Sequence, residues 1–398
     1  MSLLAATAPQ LQSLLYQYPG RSPRLGGSAL PAALGQLSQL TSLSLNVGFA
    51  CVTAAQVDAM VQSLPSLKHL DLKGSFSFLA DGFPVSINTC CSQLETLHIV
   101  GGFPEDVQPE LGQLHRLTQL MLGDRCGSLP ANISQLEALQ DIELLNYRGE
   151  MDLPEQLWRL VSITRLVITV ENLSLPDCIS QLTALKKLEI LDSTFPILPL
   201  GLTACRQLTL LTLGFVVASP VLARLQSLCS LTVTMLPDQR PDVEHWTQLR
   251  GLTRLVVDVG GCDTAQYSGI QGMTLLQDLE IVGGSGLPEG PYLSRLQKLR
   301  LVDWNAESNT PAALRSASCL KHLELTPPLG LRASDIAMLV SLPANLETLS
   351  FSYVPYGFPL EDWNQWLSKL QDAYIAQDRA PPAIESHSIE EMPISNEA

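Results

Sequence analysis

One short phrase, L-x-x-L-x-x-L-x-L, recurs along this chain and constrains its fold more than any other feature. Clear copies end on Leu43/Leu45, Leu70/Leu72, Leu97/Ile99, Leu120/Leu122, Ile142/Leu144, Leu166/Ile168 and Leu188/Ile190. They continue on Leu211/Leu213, Leu231/Val233, Leu255/Val257, Leu279/Ile281, Leu299/Leu301, Leu323/Leu325 and Leu349/Phe351, fourteen copies at steps of 20 to 27 residues. Self-similarity at this period predicts a solenoid, because one such unit cannot bury its leucines alone and stacked units can. A solenoid exposes a long ladder of side chains and usually no catalytic cleft.

Residues 175–190 show how one unit works. Ile179, Leu182, Leu185 and Leu188 are spaced three apart, which fits a 3₁₀-like segment with one side facing inward. Leu188-Glu189-Ile190 then switches to a period of two and reads as a short strand. Pro176 fixes φ and lacks an N–H, so it punctuates the turn that enters the convex segment. The expected architecture is an α/β solenoid: a horseshoe with a parallel concave sheet of about 14 strands and short 3₁₀ or loop segments on the convex side.

Composition narrows the function classes. Lys+Arg 24 against Asp+Glu 39 gives a net charge of −15, which opposes binding to nucleic acid or an anionic membrane surface. No stretch approaches the roughly 18 uninterrupted apolar residues of a membrane span, and the first residues lack the basic n-region of a secretory signal. Nine cysteines are scattered through the repeats with no CxxC pair, as expected of buried small hydrophobes in a reducing, cytoplasmic setting. The sequons at Asn132 and Asn172 would matter only in a secreted chain.

Leu30-Pro31, Leu129-Pro130, Leu153-Pro154, Leu175-Pro176 and Leu198-Pro199 each open an L-P-x-x-L/I/G segment. With the repeated phrase, they make residues 30 to 352 resemble a leucine-rich repeat protein of the intracellular plant, Ras-associated and disease-resistance type. The resemblance implies the horseshoe fold and says little about activity, since the family binds unrelated partners on one scaffold. One departure is clear. The family's pattern continues to an asparagine that satisfies backbone groups of adjacent coils, and the corresponding positions here, among them Gly48, Gly260 and Gly284, hold none. Those groups need other partners, which predicts irregular turns.

The ends divide into three segments. Residues 1–29 read as an N-terminal cap or a worn first repeat with its strand near residues 13–17; a missing polar cap also fits truncation from a longer protein. Residues 30–355 form the repeat domain. Residues 356–377 carry Trp363, Trp366, Leu367, Leu370 and Tyr374 on one helical face and read as a C-terminal capping helix. Residues 378–398 are rich in acids and proline and read as a disordered tail.

Function is sought in the residues that alternate with the core leucines and face the concave side. Met121, Leu145, Val167, Leu191 and Leu210 place exposed apolar side chains on central strands. Asp141 and Glu143 flank them near Arg165, Lys187 and Glu189. An apolar centre in a charged surround is the composition of a protein-binding face. Met121, Glu143, Leu145, Val167, Lys187, Glu189 and Leu191 are therefore the expected partner-binding residues. A second possible surface is an aromatic edge after the strands, built from Phe49, Phe76, Phe78, Phe103, Tyr147, Phe195, Phe215, Trp304 and Tyr353.

Motifs for chemistry are missing: no phosphate-binding loop, dinucleotide fingerprint, H-E-x-x-H or G-x-S-x-G occurs. Gly283-Gly284-Ser285-Gly286 reads as a flexible turn, and His69, Asp71 and His98 as ordinary polar positions rather than a metal site. The expectation is a monomeric, non-enzymatic scaffold without cofactor that binds a protein or peptide. The alternatives are a recognition module of a larger immune or signalling receptor, or an adaptor subunit of an enzyme complex.

Overall fold

The computed structural model describes residues 10–17, 34, 37–48, 52–74, 83–101, 109–123, 129–146, 153–170, 173–195, 198–216, 219–234, 246–260, 264–284, 286–302, 310–326, 333–351 and 360–386. Every copy of the phrase forms a strand, and the chain makes two compact units that divide between residues 195 and 209. The first holds β1 (Ser13–Gln17), β2 (Ser42–Asn46), β3 (His69–Lys73), β4 (Thr96–Val100), β5 (Gln119–Gly123), β6 (Asp141–Asn146), β7 (Arg165–Val170) and β8 (Lys187–Phe195). The second holds β9 (Leu210–Val216), β10 (Ser230–Thr234), β11 (Arg254–Asp258), β12 (Asp278–Val282), β13 (Lys298–Val302), β14 (His322–Leu325), β15 (Thr348–Phe351) and β16 (Ala383–Ser386). Within each unit the strands pair in parallel in chain order.

The register explains why leucine recurs. Leu70, Leu97, Leu120, Ile142, Leu166 and Leu188 are direct partners from β3 to β8, and all are 0–1% exposed. Each such side chain contributes about 1.5–3 kcal/mol on burial, so the column is the core. One carbonyl per coil also accepts two N–H groups from the next: Thr41 O from Lys68 and His69, Lys68 O from Glu95 and Thr96. This backbone ladder fixes where each strand begins.

The L-P phrase has a specific task. Pro130, Pro154, Pro176 and Pro199 hold φ between −67° and −82° immediately before a 3₁₀ turn. Their carbonyls accept the N–H three residues on, from Ile133, Leu157, Ile179 and Leu202 at 3.0–3.1 Å, and those four side chains are fully buried. Pro31 lies outside the described residues. Among the described residues, four steps carry an α-helical convex segment instead of the expected 3₁₀ turn or loop. The 27-residue steps from Leu43 to Leu70 and from Leu70 to Leu97 hold α1 (Ala54–Val61) and α2 (Val85–Cys90). Later steps hold α3 (Thr310–Arg315) and α4 (Ala333–Val340). Thr53 and Gln56 close a reciprocal cap at the start of α1, at 3.3 and 2.9 Å.

The lost asparagines are replaced in more than one way. Gly48 and Gly260 adopt φ +54° and +51°, and their N–H groups bond Asn46 Oδ1 and Asp258 Oδ1 at 3.1 and 3.0 Å. At Gly101, φ +111°, a Cβ would sit 2.0 Å from Gly74 O, so the turn closes only around glycine. In the second unit, the buried Tyr267 hydroxyl donates to Gly286 O at 2.5 Å and accepts from Gly286 N at 3.0 Å. A phenol there serves both a carbonyl and an amide, as the ladder asparagine would.

Strand count exceeds the expected fourteen at the two ends. β1 is the worn repeat read near residues 13–17 and pairs in register with β2. β16 corrects the reading of a disordered tail for its described part: residues 383–386 form a strand beside β15, and residues 387–398 lie outside the described residues. Ahead of it, α5 (Leu360–Ile375) buries Trp363, Trp366, Leu370 and Tyr374. Trp363 and Trp366 stack at 5.6 Å and meet Phe351 edge-on at 5.2 and 5.7 Å.

Candidate binding face

The strand faces opposite the 3₁₀ turns correspond to the surface read above as concave. In the first unit its central column runs Ser44, Asp71, His98, Met121, Glu143, Val167 and Glu189, each the direct partner of the next across β2 to β8. A parallel column holds Val100, Gly123, Leu145, Thr169 and Leu191 in the same fashion. All seven residues expected from the sequence thus lie on β5 to β8 of one unit. Leu210 begins β9 of the second unit.

Their exposure is uneven. Met121, Leu145 and Leu191 are half-buried, as an accessible apolar face requires. Val167 is not open: it is 3% exposed and corrects the expectation of an exposed centre. The reason is its neighbours. Glu143 and Glu189 are its direct partners on either side, and one guanidinium ties their carboxylates together. Arg165 Nη1 lies 2.8 Å from Asp141 Oδ1 and 2.9 Å from Glu143 Oε2, and Nη2 lies 3.8 Å from Glu189 Oε1. Lys187 Nζ approaches Glu189 Oε1 at 2.7 Å, a charge contact outside hydrogen-bond angles. Val167 forms the floor of this network. Burial works against the Arg165 charge, but the Asp141 and Glu143 hydrogen bonds outweigh it and hold the guanidinium pKa above its ordinary value.

Arg165 is the residue that sequence reasoning left outside the site. Its signal was available: a cation in register between Asp141 and Lys187, two residues before an apolar position flanked by glutamates. On the other side of the patch, the buried Gly123 is packed closely between Val100 and Leu145. A Cβ there would press on Val100 Cγ1 at 3.2 Å. His98 lies in register between Asp71 and Met121. Burial, opposed by the Asp71, Glu143 and Asp141 carboxylates, lowers its pKa below the ordinary imidazole value. Asp71 accepts the Ser44 hydroxyl at 2.9 Å and pairs with Lys73 at 3.3 Å, while His69 Nδ1 meets Thr96 Oγ1 at 3.1 Å.

The second unit carries an analogous triad. Arg300 sits in its central column with Nη1 3.1 Å from Glu280 Oε1 and Nε 2.9 Å from Glu324 Oε1. A shallow cavity of about 540 Å³ lies before β13 to β15, lined by Gln297, Cys319, Lys321, Asn345 and Glu347. Lys321 and Glu347 satisfy each other there at 2.8 Å.

The expected aromatic edge lies outside the described residues at seven of its nine positions, and at Phe195 and Phe215 only the backbone is described. The cysteines divide. Cys91 and Cys205 are buried, and burial pushes their thiols up to about 12 and about 11. Cys229 and Cys319 are exposed, against the expectation of buried small hydrophobes. Among the described residues no helix is long and apolar enough to cross a membrane.

Parallel strands in chain order, leucine columns and 3₁₀ turns opening on proline define a leucine-rich repeat solenoid. Solved structures agree on that fold. A leucine-rich repeat protein of Leptospira interrogans is 20% identical, with 93% of this chain and 97% of that one covered at a TM-score of 0.57. The functional domain of InlJ from Listeria monocytogenes, which includes a cysteine ladder, is 16% identical over 81% of this chain and 67% of its own, at 0.50. A TDR receptor is 17% identical over 97% of this chain and 70% of its own, also at 0.50. No family model matches the sequence, and no curated protein matches it.

Proposed function

We propose that this chain is a non-enzymatic scaffold that captures a protein or peptide on the β5–β8 face of its first unit. One observation carries the reading: half-buried Met121, Leu145 and Leu191 lie on either side of a prearranged charge network. Apolar side chains supply contact area, and fixed carboxylates supply direction and selectivity. Glu143, Lys187 and Glu189 form the polar part of the contact, with Val167 beneath it and Arg165 holding the geometry. Residues 30–355 are the repeat domain in this account, with residues 356–377 as its cap. The reading extends to a soluble, monomeric, cytoplasmic protein, or to the recognition module of a larger receptor or complex.

The test uses a displayed library of random peptides selected on the full chain. Binders should weaken at least tenfold on Glu143→Lys and Glu189→Lys, and bind Val161→Asp unchanged, since Val161 is an exposed residue beside the 3₁₀ turn before β7. Equal binding to all three variants would place the contact elsewhere.

A further inference from the structure

The C-terminal segment has two separable parts. α5 covers the last leucine layer through Trp363 and Trp366 against Phe351. The chain then turns at Asp378, whose φ is +57°. It is anchored by Arg379, which donates to Val340 O, donates to Leu342 O at 2.8 Å and lies over the Tyr374 ring at 5.4 Å. Tyr374 itself donates to Leu339 O at 2.8 Å. Only after this clamp do residues 383–386 lie down beside β15, pairing Thr348 with Ala383, Leu349 with Ile384 and Ser350 with Glu385. Ala383 N donates to Glu347 O at 2.9 Å, and the Ser350 hydroxyl to Glu385 Oε2 at 3.3 Å.

β16 adds little core: Ile384 is its one large apolar side chain, and Ala383 and Glu385 are exposed. What it changes is the edge. β15 reads Thr-Leu-Ser-Phe, with no charge and no proline, and its bare edge would offer a receptive row of backbone donors and acceptors. β16 is four residues long, carries the exposed Glu385, and follows Pro381 and Pro382, neither of which has an N–H to give. Short strands, charges and prolines are the devices by which natural edges resist pairing.

We propose that residues 381–386 are an edge guard: they convert the receptive edge of β15 into a refractory one, and without them β15 pairs with β15 of a second copy of this chain. The guard is distinct from the helical cap: the ring contacts of Trp363 and Trp366 with Phe351 lie outside residues 381–386.

The experiment compares the full chain with a chain ending at Ala380, by light scattering after size exclusion over a range of concentrations. The mass of the truncated chain should rise towards twice that of the full chain as concentration increases, and Ser350→Lys in the truncated chain should restore the full-chain behaviour. Equal masses for the full and truncated chains, both folded by circular dichroism, would overturn the proposal. A doubled mass that Ser350→Lys leaves unchanged would overturn the β15 assignment. Should the truncated chain fail to fold, Ala383→Pro in the full chain decides. It removes the N–H that bonds Glu347 O, and should give the same mass increase and faster deuterium exchange of the Thr348–Phe351 amides. Unchanged mass and exchange in that variant would count against the guard.

Discussion

Each unit sets one arginine between two glutamates on neighbouring strands, but the two arrangements differ in what lies beneath. In the second unit Arg300 occupies the central column itself and reaches Glu280 and Glu324 directly. In the first unit the central position belongs to Val167, and Arg165 reaches Asp141, Glu143 and Glu189 from the flanking column. The same charge chemistry therefore serves two ends. Around Arg300 it is sufficient as cross-strand pairing, which stabilises any sheet. Around Arg165 it closes over an apolar floor and leaves Met121, Leu145 and Leu191 half-open beside it. The second unit is thus an internal control for the first.

The core should respond alike in both units. Leu166→Ala and Leu299→Ala each remove a fully buried side chain and should cost about 2–5 kcal/mol by denaturant unfolding. A markedly smaller loss at Leu166 would mean that β7 is not packed as described.

Matched valines separate the two faces more sharply. Val167→Lys forces a charge into a site 3% exposed and should cost about 1–3 kcal/mol. Val256→Lys, at a half-buried position of the second unit's central column, should stay within about 0.5 kcal/mol. Equal costs would erase the distinction between floor and surface.

The arginines come next. Arg165→Ala removes the close pairs with Asp141 and Glu143 and should cost about 1–2 kcal/mol, against about 1 kcal/mol for Arg300→Ala, which removes the pairs with Glu280 and Glu324 and is at the more exposed position. Both losses should shrink if measured at a pH low enough to protonate the glutamates.

The smallest effect is a pH dependence confined to the first unit. Burial depresses the pKa of His98 in the folded state, so the unfolded chain takes up its proton first as pH falls. The stability held by neutral His98 is present above the unfolded value, near 6.5, and is lost as pH falls through the folded one. His98→Gln should flatten the stability profile across that window, and a His98 proton resonance titrating like a free imidazole would contradict this.

The strands were legible because a period of two inside a period of 20–27 leaves each leucine one place to go. Side-chain columns followed from the same alternation. Cover did not: alternation says which way Val167 points but not that Glu143, Glu189 and Arg165 enclose it. β16 was missed because Ala-Ile-Glu-Ser carries no leucine phrase and borrows its order from the edge of β15. Helical convex segments were not legible from spacing alone: the 24-residue step from Leu299 to Leu323 holds α3, while the equally long step from Ile142 to Leu166 holds a 3₁₀ turn. Tyr267 could not be read as a turn partner, since its hydroxyl meets Gly286 only after two coils stack.

The most direct measurement sets Leu145→Glu against Val302→Glu, two half-buried positions in the same column of the two units. Peptides selected on the full chain would be titrated against both variants by fluorescence anisotropy. Binding should fall at least tenfold on Leu145→Glu and stay unchanged on Val302→Glu. Loss on Val302→Glu with retention on Leu145→Glu would contradict the assignment of the binding face to the first unit.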